Sequence, residues 1–133
     1  MQINPWHFLI IGYLLTISVE IPILMLGLSP RHSWKERLFA GFWVNACSYP
    51  IVVLVLPEVF RDSRMLYIIV AETFAPVSEC LLFWFAFGKR GEFWRRSTGR
   101  DFATIVLANL ASFGVGEMMS YLRLWEVIFR TSH

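Results

Sequence analysis

Charge is scarce in this chain. Of its 133 residues only 17% are Asp, Glu, Lys or Arg, against about 25% in a typical soluble domain. The net charge of +2 is too small to point to nucleic acid as a partner. Cysteine is scarcer still. Cys47 and Cys80 are the only two, and neither belongs to a C-x-x-C or Cys/His spacing. That argues against a zinc site, and both read as small buried hydrophobes. Histidine is confined to His7, His32 and His133, at the ends of apolar runs or in the tail. A histidine-based metal hydrolase therefore has no candidate residues. No H-E-x-x-H, G-x-S-x-G or P-loop pattern occurs, and no cofactor is implied. No Lys or Arg precedes the first apolar run, and no A-x-A cleavage pattern accompanies it. That run is expected to be a retained span, not a signal peptide.

Apolar residues make up 56% of the chain and aromatic residues 17%. They gather in four stretches, at 8–28, 38–56, 66–88 and 102–120. Crossing a bilayer takes about 20 residues. Lipid offers no partner to backbone N–H and C=O groups, so each span must be helical. The expected fold is an all-α integral membrane protein with four transmembrane helices, residues 1–133 forming a single transmembrane domain. The tail at 121–130 carries Arg123 and Glu126. It reads as an extension of the last helix or as an interfacial helix.

Basic residues set the expected orientation. Arg31, Lys35 and Arg37 lie between the first two spans; Lys89, Arg90, Arg95, Arg96 and Arg100 lie between the last two. The excess of Lys and Arg places loops 29–37 and 89–101 in the cytoplasm of a cell inner membrane, with both termini outside. Trp6 and His7 would mark the outer interface, Trp34 and Trp94 the inner one. The Arg/Trp-rich third loop reads first as a topology signal, and second as a site for anionic lipid.

Against this apolar background a few polar residues stand out. Glu20 is followed by Asn45-Ala46-Cys47-Ser48-Tyr49-Pro50, and Glu79 by Asn109-Leu110-Ala111-Ser112-Phe113-Gly114. The order suggests two helical hairpins forming a parallel repeat, related by an axis along the membrane normal. Glu72 competes with Glu79 as the counterpart of Glu20. At 1.5 Å per residue, Glu20, Asn45, Glu79 and Asn109 all fall about 12–14 Å from the loop ends, near the midplane. Asn45 and Ser48 share one side of their helix, Asn109, Ser112 and Gly116 one side of theirs, and Glu72 and Glu79 one stripe. Pro22, Pro50 and Pro76 are expected to bend their helices and free the carbonyls of Ser18, Ala46 and Glu72. Gly114 and Gly116 are expected to help shape the last helix, with Ala108, Ser112 and Gly116 as a close-approach row.

Acids within a membrane span mark a functional site by default. At that depth a carboxyl is either neutral, donating a hydrogen bond to Asn45 or Asn109, or charged beside a cation or water. The leading expectation is a small transporter or channel-like protein for a proton, cation or small polar solute. Its site is Glu20, Asn45, Ser48, Glu72, Glu79, Asn109 and Ser112. Four short helices enclose little space, which puts the path at a homodimer interface. A carboxylate-only metal site, from Glu20 and Glu79 with the asparagine oxygens, would suit a hard cation. The competing expectation is a structural or assembly subunit of a larger membrane complex, with the Glu/Asn layer as interhelical glue. An enzyme comes third. Interhelical polar pairs contribute only about 0.6 kcal/mol on average, and about 1.7 at most.

Overall fold

The computed structural model describes residues 4–130, all of them helix or short connection. The chain ends assigned to the outside, and His133, lie outside the described residues. Four helices are long and apolar enough to cross a membrane: α1 (Pro5–Gly27), α2 (Trp34–Val59), α3 (Arg64–Phe87) and α4 (Arg96–Tyr121). They fit a multi-pass membrane protein. Each begins a few residues before the apolar stretch that announced it, and on α1, α2 and α3 a polar side chain caps that start. Asn4 accepts the N–H of Trp6 (3.0 Å), with Pro5 at the first helical position of α1. Ser33 and Glu36 form a reciprocal capping box on α2, and Ser63 caps α3 through the N–H of Leu66. A fifth helix, α5 (Leu124–Arg130), follows α4. The junction is Arg123, in the left-handed region at φ 54°. The tail is thus a separate short helix and not a continuation of α4.

The four long helices form a ring. α1 packs on α2 and α4, and α3 closes the ring against the same two. α1 and α3 begin at one end of the bundle, α2 and α4 at the other. Large apolar side chains, among them Leu26, Val59, Met65 and Phe85, stand exposed around the outside. A small apolar cluster of Leu24, Leu28, Ala40, Val44, Phe83, Ile105 and Ala108 fills the interior toward the end bearing the loops at 28–33 and 88–95. Elsewhere the interior also carries polar side chains. Glu20, Asn45, Ser48, Glu79 and Asn109 are all buried. Apolar outside and polar inside is the distribution expected when the surrounding medium is lipid.

Helix α2 is not uniform. Residues Ile51–Val55 are wound as a π-helix directly after Pro50. There the N–H of Leu56 reaches back to the Ile51 carbonyl. The next donor in line, for Val52, would come from Pro57, which has none. The Tyr67 hydroxyl donates to the Val52 carbonyl instead, at 3.3 Å. Pro50 thus opens a widened segment, in keeping with the place of π-turns within longer helices.

Three expectations require correction. Pro22 and Ser18 are both exposed, so the carbonyl freed there faces away from the polar interior. Ala46 is exposed as well, which leaves Glu72, freed by Pro76, as the one such residue lining the interior cavity. Cys47 is exposed, on the outer side of α2 away from Asn45 and Ser48, and only Cys80 is partly buried; both are free thiols. The close approaches do not fall at Gly114 or Gly116, where an added Cβ would meet nothing within 4 Å. They fall at Gly12 against Tyr49, Gly27 against Thr104 and Gly41 against Ile21.

The glycines give a direct test. Gly114→Ala should stabilise α4 by about 0.5–1 kcal/mol, the usual gain within a helix, whereas Gly12→Ala and Gly27→Ala should lower the melting temperature of the detergent-solubilised protein. Circular dichroism melts that rank the three variants otherwise would contradict these contacts.

Candidate functional site

Glu20 and Glu79 are 1% and 2% exposed. An acid so deeply buried requires donors, and the sequence supplies them on neighbouring helices. Asn45 on α2 donates its amide N–H to Glu20 Oε2 at 2.7 Å, and Ser112 on α4 lies 2.5 Å from Glu20 Oε1. Asn109 on α4 donates to Glu79 Oε2 at 2.7 Å, and Ser48 on α2 lies 2.6 Å from Glu79 Oε1. Each acid therefore takes one asparagine and one serine, from two different helices. Glu79, not Glu72, has the donor set that matches Glu20.

The asparagines are locked by their own backbones. Asn45 gives its second amide hydrogen to the Gly41 carbonyl, and Asn109 gives its second to the Ile105 carbonyl, each at 3.0 Å. Both nitrogens thus face the acids. The expectation of a neutral Glu donating to the asparagines is replaced by the reverse, because an amide nitrogen can only donate. The expected all-oxygen cation cage is also lost, since each acid meets an amide nitrogen instead of an amide oxygen. Among the described residues no group of three or more His, Cys, Asp or Glu side chains is placed to hold a metal ion.

Ser112 is the chemically flexible member. Its hydroxyl lies 2.5 Å from Glu20 Oε1 and 3.0 Å from the Asn109 carbonyl. One hydrogen cannot serve both acceptors at full strength. With Glu20 ionised, Ser112 donates to it. With Glu20 protonated, the acid donates to the serine oxygen and the serine donates to the carbonyl. The same atoms accept either protonation state of Glu20.

The layer is open from one direction. A cavity of about 410 Å³ runs from it to the end of the bundle where α1 and α3 begin. All seven expected site residues line it. So do Tyr49, Tyr67, Phe113, and the tilted ring pair Phe8 and Trp125, whose ring centres are 5.3 Å apart. Arg64 and Glu117, 3.3 Å apart, stand near its mouth. The expectation that four helices enclose too little space is overturned. The widened turn of α2 contributes Val52 and Val53 to the wall, and small residues such as Gly12, Ala71 and Ala75 leave room.

The opposite end is closed twice. The apolar cluster lies directly behind the acids. Behind it lies Asp101, fully buried, holding the 28–33 connection against α4. Asp101 accepts from the Ser29 N–H (2.6 Å), the Ser29 hydroxyl (3.1 Å) and Arg31 (2.8 Å), and lies 2.9 Å from His32 Nε2. His32 packs edge-on against Phe83 and Phe87. Arg37 donates to the carbonyls of Met25, Ser29 and His32, and Arg100 to that of Gly27. The carbonyls of Met25 and Gly27 are among those a helix leaves unpaired at its C-terminus; Ser29 and His32 belong to the connection that follows. Part of the basic charge that signals orientation is therefore also structural. This cluster was not read from the sequence; its one signal there is an acid, Asp101, standing immediately after a basic loop.

No family model, curated protein or solved structure matches this chain.

Replacing Asp101 with Leu should destabilise the protein by about 3–5 kcal/mol, because Arg31 and His32 lose a buried partner. Asp101→Asn, which still accepts, should cost less. Thermal melts in detergent check both, and a wild-type melt for Asp101→Leu would show that the latch carries no load.

Proposed function

We propose that this chain is a small membrane carrier for a proton, cation or small polar solute, working through the Glu20/Glu79 layer. The observation that carries this reading is the cavity that connects one end of the bundle to the two acids while the other end is packed shut. Access from one side only is what a carrier needs in one of its two states. In this reading Glu20 and Glu79 are the ionisable groups. Asn45, Asn109, Ser48 and Ser112 hold them in place and exchange hydrogen bonds as they gain or lose protons. Glu72 stands on the route to them. Pro50 and Pro76 shape the helices that form the wall.

Several finer features belong to the same proposal. The matched donor sets of Glu20 and Glu79 favour two helical hairpins related as a parallel repeat, with α1 and α2 equivalent to α3 and α4. The positive-inside pattern favours the latched end as the cytoplasmic one, in an inner membrane, with the cavity opening outward. The path lies within one chain, and a homodimer is not needed to form it.

A second reading has an observation of its own. All four oxygens of Glu20 and Glu79 already have donors inside the chain. That suits a structural or assembly subunit whose polar layer fixes helix register. It accounts less well for the cavity. An ionised side chain at a helix centre costs about 2.5–3.5 kcal/mol to insert, while a typical interhelical polar pair returns about 0.6 kcal/mol. A layer kept only as glue would be a poor exchange.

Purified protein in liposomes separates the two. The carrier reading expects proton or cation flux that falls to background in the Glu20→Gln/Glu79→Gln double variant while the protein still folds. Wild-type flux in the double variant would remove it. No flux in any form, with loss of assembly in Glu20→Leu and Asn109→Leu, would favour the subunit reading.

A further inference from the structure

The cavity wall narrows the class of solute, an inference that rests on the carrier reading and deepens it. Four carboxyls line the cavity, and three are already engaged. Glu117 faces Arg64 at 3.3 Å; Glu20 and Glu79 each hold an asparagine and a serine. Glu72 lines the cavity half-buried and makes no hydrogen bond or ion pair among the described residues. It stands on α3 two turns from Glu79, toward the mouth. Arg64 is the one basic residue of the wall, and Glu117 is its partner. An anion would meet one uncompensated carboxyl, Glu72, and no unpaired basic side chain in the wall to attract it.

The rest of the wall selects among cations. Tyr49, Tyr67, Phe113, Phe8 and Trp125 contribute rings. The Tyr67 hydroxyl is fixed by its bond to the Val52 carbonyl, so its ring is positioned before any solute arrives. A small inorganic ion would require a shell of oxygens to replace its water, and each oxygen of Glu20 and Glu79 already accepts a hydrogen bond from within the chain. An alkylammonium requires less: one counter-charge, ring faces for the cation, and apolar wall for its carbon body. The space available, about 410 Å³, lies in the usual range of small-molecule sites, about 300–1,000 Å³.

We infer that the cavity binds a small organic monocation, an ammonium group on an apolar body, with Glu72 as its counter-charge and the aromatic wall around it. Glu20 and Glu79 lie one step deeper, at the closed end.

Isothermal titration of the full chain in nanodiscs with benzyltrimethylammonium tests this. Saturable binding is expected, with no binding of 3-phenylpropanoate, which has a similar body and the opposite charge. Glu72→Gln should weaken binding about tenfold or more, and Glu72→Asp should largely restore it. Phe113→Ala, which leaves every carboxyl in place, should also weaken it. The inference falls if benzyltrimethylammonium does not bind, if 3-phenylpropanoate binds equally well, if Glu72→Gln binds like wild type, or if potassium chloride displaces the cation at equal concentration. Flux that depends on Glu20 and Glu79 without benzyltrimethylammonium binding would retain the carrier and remove this solute class. Binding as described without flux would retain the site and remove the carrier.

Discussion

Two carboxyl groups buried in the middle of a bundle with an apolar exterior constrain everything around them. A buried acid without donors is too costly to keep. Here each acid draws its donors from two helices, so α2 and α4 are both tied to α1 through Glu20 and to α3 through Glu79. The four contacts close a ring through all four helices. None of them can slide along its axis without stranding an acid. Register is therefore set by chemistry at one depth, and the small apolar cluster behind it needs only to fill space.

Asymmetry along the axis follows from what lies on either side of that layer. Toward the latched end, Leu24, Leu28, Phe83 and Ile105 pack tightly, and Asp101 binds the connection after α1 to the start of α4. Toward the other end, small residues leave space and a π-wound stretch of α2 contributes to the cavity wall. A layer able to accommodate either protonation state of Glu20, through the two acceptors of Ser112, then sits at the floor of a one-sided cavity. These are parts a carrier would use. They are also parts that loosening Asp101 or repacking the apolar cluster would change together.

The sequence made the four helices and the residues of the polar layer legible, for a physical reason. Acids and amides are costly in apolar runs, so Glu20, Asn45, Glu79 and Asn109 stood out at once, and simple counting along the helix put them at one depth. Their pairing was less legible. Spacing places Asn45 near Glu20 but cannot show that Ser112, 92 positions away in the chain, completes the same site. The direction of the asparagine bonds was misread because the backbone carbonyls of Gly41 and Ile105, which orient the amides, carry no signal in side-chain pattern. The cavity was missed because it depends on how Gly12, Ala71 and the turn after Pro50 leave space in three dimensions. The Asp101 latch was hidden by its neighbours: in a loop dense with arginine, one acid reads as ordinary solvated charge.

The central claim is that the acid layer is reached from one end of the bundle only. Cysteine accessibility tests it most directly, in a background with Cys47 and Cys80 replaced by Ala. Ala75 lines the cavity near Glu79, and Ala108 lies in the apolar cluster behind the acids. The account predicts that Ala75→Cys reacts rapidly with a charged, membrane-impermeant methanethiosulfonate and that Ala108→Cys does not. An unreactive Ala75→Cys, or equal reaction at both positions, would contradict it.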